Sequence, residues 1–324
     1  MNELVNKIIC GDSLSVLKTF PDELVDCCIT SPPYWTQRFY GGFDNELGLE
    51  ETSKKYIEKL FEICKEIKRV LKKEGTFWLN IDDVYYGSGH GKADDLRGSK
   101  QATVKGMANE EVRSFFNKQR NLPHPILKKK DLCLIPERLI IKLQENGWYI
   151  RSKIIWYKPN AMPENVIDRP INDYEFLFLL TKSQKYYFDY KAIKEKYFKP
   201  LNRWAGNILE AKGKSKWDEG TKQKTYRNRN MRPDKIARNC RAVWTINTSP
   251  TKYNHVARFP EKLCIKPILA GCPQEGICLD PFMGSGTTAV VVKSLNRNYL
   301  GIELNPKYIE MAEKRISNTQ GTLV

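Results

Sequence analysis

Ile277-Cys278-Leu279-Asp280-Pro281-Phe282-Met283-Gly284-Ser285-Gly286-Thr287-Thr288 reads as a short buried strand, a glycine turn and the first residues of a helix. Gly284 and Gly286 allow a tight turn and a close backbone approach to a ligand, because no Cβ stands in the way. In open α/β sheets ligands bind beyond the carboxyl ends of the strands, where this turn falls. The next strand, Tyr299-Leu300-Gly301-Ile302-Glu303, ends on an acid 17 positions after Gly286. A carboxylate there can accept hydrogen bonds from two ribose hydroxyls. A phosphate-binding loop needs Gly-Lys-Ser/Thr, and Gly286 is followed by Thr287, so that reading fails. A nicotinamide fingerprint stays open, with Ala289 at its third glycine position. By itself the turn indicates a nucleoside cofactor and does not name it.

The rest of the chain extends this pattern. Lys7-Ile8-Ile9-Cys10 is an apolar run that stops at Gly11-Asp12, and Ser13 to Phe20 has helical spacing. Val25 to Ile29 reads as a strand. Ser53 to Lys73 reads as an amphipathic helix, with Ile57, Leu60, Phe61, Cys64, Ile67, Val70 and Leu71 at steps of three and four and Gly75 as its stop. Thr76 to Ile81 is a strand and Pro136 to Asn146 a helix. Trp148 to Tyr157 and Tyr174 to Thr181 read as two strands of a hairpin, joined by a Pro/Asn-rich link. Glu261 to Ala270, Thr287 to Leu295 and Pro306 to Ile316 are helices. Strands alternate with helices at both ends of the chain, which predicts a parallel sheet covered by helices on both faces.

A hydrophobic fraction of 41% suits a globular protein, and no apolar run is long enough for a membrane span. The nine cysteines form no CxxC pair and there are three histidines, so zinc spacing is absent and no metal is expected. With no secretory signal at the N-terminus, the thiols read as reduced and the location as cytoplasmic. The formal charge is +16, which favours a polyanionic partner. Residues 191–242 hold 16 Lys/Arg against 5 Asp/Glu, and residues 85–130 hold 10 against 4. The charge therefore sits in two stretches that interrupt the sheet pattern. In the first it is interleaved with Tyr197, Phe198, Trp204, Trp217 and Tyr226, which suits phosphates and bases.

Thr30-Ser31-Pro32-Pro33-Tyr34-Trp35 follows the Val25–Ile29 strand. The prolines keep the strip extended and carry no N–H, so their carbonyls can accept hydrogen bonds. The Pro32 carbonyl and the Ser31 hydroxyl are candidate acceptors for an exocyclic amine, and Tyr34, extended by Trp35, offers a wall for a planar base. This strip and the glycine turn together resemble the amino-group DNA methyltransferases. Their order, platform first and cofactor loop last, resembles the beta class. Besides these motifs, Trp148–Pro159 and Asn172–Lys182 resemble the family's later strands, and His255–Leu263 its segment ahead of the cofactor loop.

The resemblance implies a Rossmann-like, circularly permuted α/β methyltransferase sheet that uses S-adenosylmethionine. It implies cofactor contacts from Asp12, Asp280, Phe282, Gly284, Ser285, Gly286, Thr287 and Glu303, and a catalytic strip of Ser31, Pro32, Pro33 and Tyr34. Residues 1–190 and 243–324 would form the catalytic domain, with 85–130 as a basic loop insertion. Residues 191–242 would form the target-recognition region, with Arg227, Arg229, Arg232, Arg238 and Arg241 as candidates for reading guanine edges. Serine at the head of the strip resembles the N4-cytosine enzymes. The expected reaction is methyl transfer to the N4 amine of a cytosine flipped from double-stranded DNA, in a restriction-modification system with a companion restriction endonuclease. A homodimer is common in this family. Alternatives are adenine N6 methylation, RNA methylation and a non-catalytic DNA-binding protein.

Overall fold

The computed structural model describes residues 4–37, 40, 43, 45–87, 124–196, 237–248 and 259–319. In chain order its elements begin with β1 (Lys7–Cys10), α1 (Ser13–Leu17), β2 (Val25–Thr30), α2 (Ser53–Val70) and β3 (Leu71–Ile81). They continue with α3 (Ile135–Glu145), β4 (Tyr149–Tyr157), β5 (Tyr174–Thr181), β6 (Glu195–Lys196), β7 (Ala237–Arg238) and β8 (Val243–Thr245). The last are α4 (Glu261–Gly271), β9 (Ile277–Asp280), α5 (Thr287–Ser294), β10 (Asn298–Glu303) and α6 (Pro306–Ser317).

Eight strands form one sheet in the order β1-β10-β9-β2-β3-β5-β4-β8. The run from β1 to β3 is parallel throughout. Strand β5 is antiparallel to β3 and to β4, and β8 is parallel to β4. The hairpin expected of β4 and β5 is present, and with it the sheet is mixed where a parallel one was expected. The link from β4 to β5 carries no helix, and without such a crossover two adjacent strands pair antiparallel.

Side chains alternate across β3. Phe77 and Leu79 belong to the core that includes Ile57, Leu60, Ile63 and Ile67 of α2. The Thr76 hydroxyl faces the other way and donates to the Gly271 carbonyl of α4 at 2.9 Å. Helices α2 and α4 therefore cover opposite faces of the sheet.

Two boundaries differ from the sequence expectation. Helix α1 ends at Leu17, and the Thr19 and Phe20 amides close tighter three-residue turns onto Val16 and Leu17. Pro21 follows and disfavours helix at Phe20. Helix α2 ends at Val70, because Leu71 turns extended (ψ 134°) and pairs with Val25. Gly75 consequently lies inside β3 rather than after a helix. A Cβ there would sit 2.6 Å from the Leu71 side chain and 2.9 Å from the Asp26 carbonyl oxygen.

The chain divides into two compact units, Met1–Phe188 with Ala242–Val324, and Asp189–Arg241. The second contains the antiparallel β6–β7 ladder. Among the described residues no helix is long and apolar enough to cross a membrane.

Candidate active site

Strand β9 comes from the far end of the chain yet inserts between β10 and β2. Its pairing with β2 puts the loop after Asp280 beside the strip after Thr30. The junction is a buried hydrogen-bond hub. One Asp280 carboxylate oxygen accepts from the Thr30 hydroxyl at 2.6 Å and from the Phe282 amide at 3.0 Å. The other accepts from the Thr288 hydroxyl at 2.6 Å. Asp280 is 1% exposed, and burial pushes its carboxyl up to about 6 against the downward pull of these donors. Ser13 adds a second tie, its hydroxyl donating to the Pro281 carbonyl at 2.6 Å.

One cleft opens above this junction, lined by both loops. At one end lie Asp12, Phe282, Gly284, Ser285, Thr287 and Glu303, together with Tyr40, Phe259, Met283 and Tyr308. Gly284 and Gly286 adopt left-handed φ values of 54° and 79°. At Gly286 a Cβ would also stand 2.7 Å from the Ala312 Cβ, so glycine lets α6 pack against the turn. Glu303 accepts from the Gly284 amide at 2.7 Å and from the Asn305 amide at 2.8 Å. Burial pushes its carboxyl upward. Its remaining lone pairs can still take hydroxyl donors. Asp12 caps α1 through one oxygen, which accepts from the Ser15 amide and hydroxyl. A carboxylate for a diol, an aromatic face at Phe282 and an open glycine backbone fit a nucleoside. Asp280 and Gly286 are not part of the lining; they set the shape of the turn beneath it. Arg315 of α6 buttresses that turn through the Ser285 carbonyl and hydroxyl and the Thr287 hydroxyl.

The other end of the cleft is lined by Ser31, Pro32, Pro33, Tyr34, Asn80, Trp156 and Glu175. The Pro33 carbonyl already accepts from the Tyr56 hydroxyl at 2.9 Å. The Tyr34 hydroxyl donates to the Glu175 carboxylate at 2.7 Å and lies 3.3 Å from the Asn80 amide oxygen. The Ser31 hydroxyl is 3.2 Å from the Tyr34 hydroxyl oxygen. Because Tyr34 spends its proton on Glu175, Ser31 is the donor in that contact. Its lone pairs are thereby left for an incoming N–H.

Glu175 is held in turn by the Asn80 side-chain amide at 3.0 Å and by Lys158 at 3.2 Å. Burial, then the Glu175 and Asp82 charges, push the Tyr34 hydroxyl well above its ordinary range, so it remains a donor. Burial and then the Glu175 charge push Asp82 up to about 7, with Lys158 pulling the other way.

Trp35 departs from expectation. It is 2% exposed, donates to the Glu50 carbonyl at 2.8 Å and packs in the core. It does not extend the wall of the cleft. Asn80, Glu175, Lys158 and Arg315 carried no role in the sequence reading. Asn80 and Glu175 do show in the sequence as polar residues set beside the apolar runs Phe77–Leu79 and Phe176–Leu180.

Of the candidate DNA-reading arginines, Arg227, Arg229 and Arg232 lie outside the described residues, as do 88–123 and 197–236 within the two basic stretches. Arg238 and Arg241 both pair with Glu195 at 3.3 Å, within the second unit. His255 to Arg258 also lie outside the described residues.

A cleft with a nucleoside-binding end and an oriented acceptor end suits group transfer to a planar amine. A family model described as DNA methylase matches residues 25–314. The type II methyltransferase M.Cfr9I of Citrobacter freundii is 40% identical over 315 residues, covering 97% of this chain and 88% of that protein. The solved PvuII DNA methyltransferase, titled cytosine-N4-specific, matches with a TM-score of 0.59 at 17% identity, covering 95% of this chain and 85% of that one. The M1.HpyAVI–SAM complex matches with a TM-score of 0.52 at 20% identity, covering 96% and 98%. At these identities the two structures speak for the fold.

Proposed function

Since the chain belongs to the DNA methylase family, we propose that it methylates the N4 amine of a cytosine extruded from duplex DNA, as the modification enzyme of a restriction-modification system. The observation that carries this reading is the Ser31–Tyr34–Glu175 chain of hydrogen bonds, which holds the Ser31 hydroxyl as an acceptor inside the cofactor cleft. Serine rather than aspartate or asparagine at that position favours cytosine. The type II name of M.Cfr9I supports the biological role, and a companion endonuclease is part of this proposal. We place the enzyme in a prokaryotic cytoplasm, at the nucleoid.

An exocyclic amine is a poor nucleophile because its lone pair is delocalised into the ring. S-adenosylmethionine supplies an electrophilic sulfonium methyl. Asp12, Phe282, Gly284 and Glu303 bind and orient the nucleoside part, while Ser285 and Thr287 line the turn. Ser31 Oγ and the Pro32 carbonyl accept the two amine hydrogens and turn the lone pair toward the methyl. Such orientation can remove roughly 7–11 kcal/mol of a barrier in favourable cases. The amine must also lose a proton once its new bond forms, and the hydrogen-bond chain from Ser31 ends on a carboxylate that can receive it. Tyr34 stacks on the base. Residues 191–242 serve as the target-recognition region, with their arginines, Arg238 and Arg241 included, on phosphates or guanine edges.

The test is to incubate the enzyme with S-adenosylmethionine and unmethylated genomic DNA, digest to nucleosides and analyse by mass spectrometry. N4-methylcytosine supports the reading; N6-methyladenine keeps the fold and mechanism and replaces the base. Two substitutions separate the ends of the cleft. Ser31→Ala is expected to lower turnover by about tenfold or more while cofactor affinity stays within about twofold, since one charge-free hydrogen bond at the amine is lost. Phe282→Ala is expected to do the reverse, weakening S-adenosylmethionine binding in calorimetry by about tenfold through lost aromatic burial. Equal loss of cofactor affinity in both variants would make Ser31 structural.

A further inference from the structure

The link between β4 and β5, residues 158–173, contains no helix or strand. Antiparallel neighbours are commonly joined by two to five residues, and longer links of this kind usually carry function. Both ends of this one enter the acceptor end of the cleft. Trp156 and Glu175 line it, and Lys158 pairs with Glu175 at 3.2 Å. The Lys158 amide donates to the Asp173 carbonyl at 2.7 Å and closes the base of the link.

Beyond that base the link is braced on several sides. Asn160 exchanges two hydrogen bonds with the backbone of Thr248. Arg169 pairs with Glu164 at 2.8 Å, and its guanidinium lies 3.9 Å from the centre of the Tyr85 ring. Asp168 pairs with Lys130, and Asn172 donates to Asp82 at 3.4 Å. Between Glu164 and Arg169, Ile167 is 100% exposed, and Met162 nearby is 62% exposed. A lone exposed apolar residue ordinarily needs no explanation. Here the Glu164–Arg169 pair spans it, Arg169 rests on Tyr85 and Asp168 meets Lys130, so the exposed side chain sits on a braced segment.

We propose that Ile167 is the wedge that enters the base stack when the target base leaves it. The inference rests on the reading above that a base in duplex DNA is the substrate. Extrusion leaves a gap between two neighbouring bases, and isoleucine, leucine, methionine and phenylalanine fill such gaps in proteins that unstack DNA. Position and charge both point to DNA as the occupant. The link springs from the sheet edge where Ser31, Tyr34 and Glu175 meet, so a base reaching them leaves a stack just outside it. Lys128, Lys129 and Lys130 are exposed on the segment that braces the link; Asp131 and Asp168 each face one of them, which leaves a net positive charge for phosphates there.

The experiment uses the full-length enzyme and a short duplex carrying the site mapped on methylated genomic DNA. The target base is either normally paired or placed opposite an abasic site, where little unpairing remains. Because unstacking costs a few kcal/mol, Ile167→Ala is expected to lower kcat/KM about tenfold or more on the paired duplex and less than about twofold on the abasic one. Ile167→Phe, a bulkier wedge, is expected to keep the paired rate. Equal losses on both duplexes, or none on the paired one, overturn the wedge. So does an Ile167→Ala enzyme whose only change is in assembly by size-exclusion chromatography, which assigns Ile167 to a second copy of the chain. A wild-type enzyme that methylates neither duplex overturns the DNA reading itself.

Discussion

Glu175→Ala is expected to lower methyl-transfer turnover by roughly 10–100-fold, the range for losing a hydrogen bond to a charged, largely buried partner. The carboxylate accepts from Tyr34 and Asn80 and pairs with Lys158, so one change releases three groups. Tyr34 then has only the more distant Asn80 oxygen and Ser31 to donate to, and when it donates to Ser31 the Ser31 hydroxyl turns its own proton toward the amine. A donor facing a donor repels the base that Ser31 should hold. Affinity for S-adenosylmethionine should stay within about twofold, because β9 and β10 build that end of the cleft. Glu175→Gln retains one acceptor oxygen and should recover part of the rate. Single-turnover kinetics with calorimetry on the same preparations decide the matter. Parallel loss of rate, cofactor affinity and melting temperature would reduce Glu175 to a scaffold residue, and failure of glutamine to recover any rate would remove the acceptor argument.

Asp280→Ala is expected to cost on the order of 3–5 kcal/mol of folding stability at pH 5, since three buried donors lose their acceptor at about 1–3 kcal/mol each before partial relaxation. That is a large share of the roughly 5–15 kcal/mol that holds a domain together. The pH dependence gives a sharper signature. Burial raises the Asp280 carboxyl to about 6 in the folded state, above its ordinary value of 3.8. Between those values the folded state binds more protons than the unfolded state, so this residue's contribution is fullest below the unfolded value and falls as pH rises through about 6. The stability gap between wild type and Asp280→Ala should therefore shrink from pH 5 to pH 7.5. Denaturant midpoints at the two pH values measure it. A gap that widens with pH would mean that the folded state favours the charged carboxylate of Asp280 and would overturn the argument from burial.

Much of the architecture was legible because it is written in local patterns. The apolar runs Ile277–Leu279 and Tyr174–Leu180 are strands with the bounds their flanking residues suggest. The two left-handed glycines needed only their spacing to be read as a turn. What escaped lies in long-range pairing. Helix α2 stops at Val70 because Leu71 is claimed by Val25, a partner 46 residues away, against a helical pattern that continues through it. The antiparallel pairing of β5 with β3 was not legible from alternation alone. Glu175 lies 141 residues from Tyr34, and nothing near either residue in sequence announces their bond. The same holds for Arg315, which reads as an exposed helix cation and instead reaches the cofactor turn, 30 residues back.

The insertion of β9 between β10 and β2 has a consequence for how a ribosome delivers this enzyme. Thr30 and Asp280 are 250 residues apart, yet their side chains share one hydrogen bond at the centre of the sheet. While the chain is being made, β2 has an open edge on the side that β9 will occupy. Unpaired edges of this kind invite wrong partners. The nascent polypeptide must keep that edge protected until β9, Ile277–Asp280, has been translated. Neither the acceptor strip nor the cofactor turn has its final neighbour before then. A polypeptide released before that point lacks the strand that carries the cofactor turn.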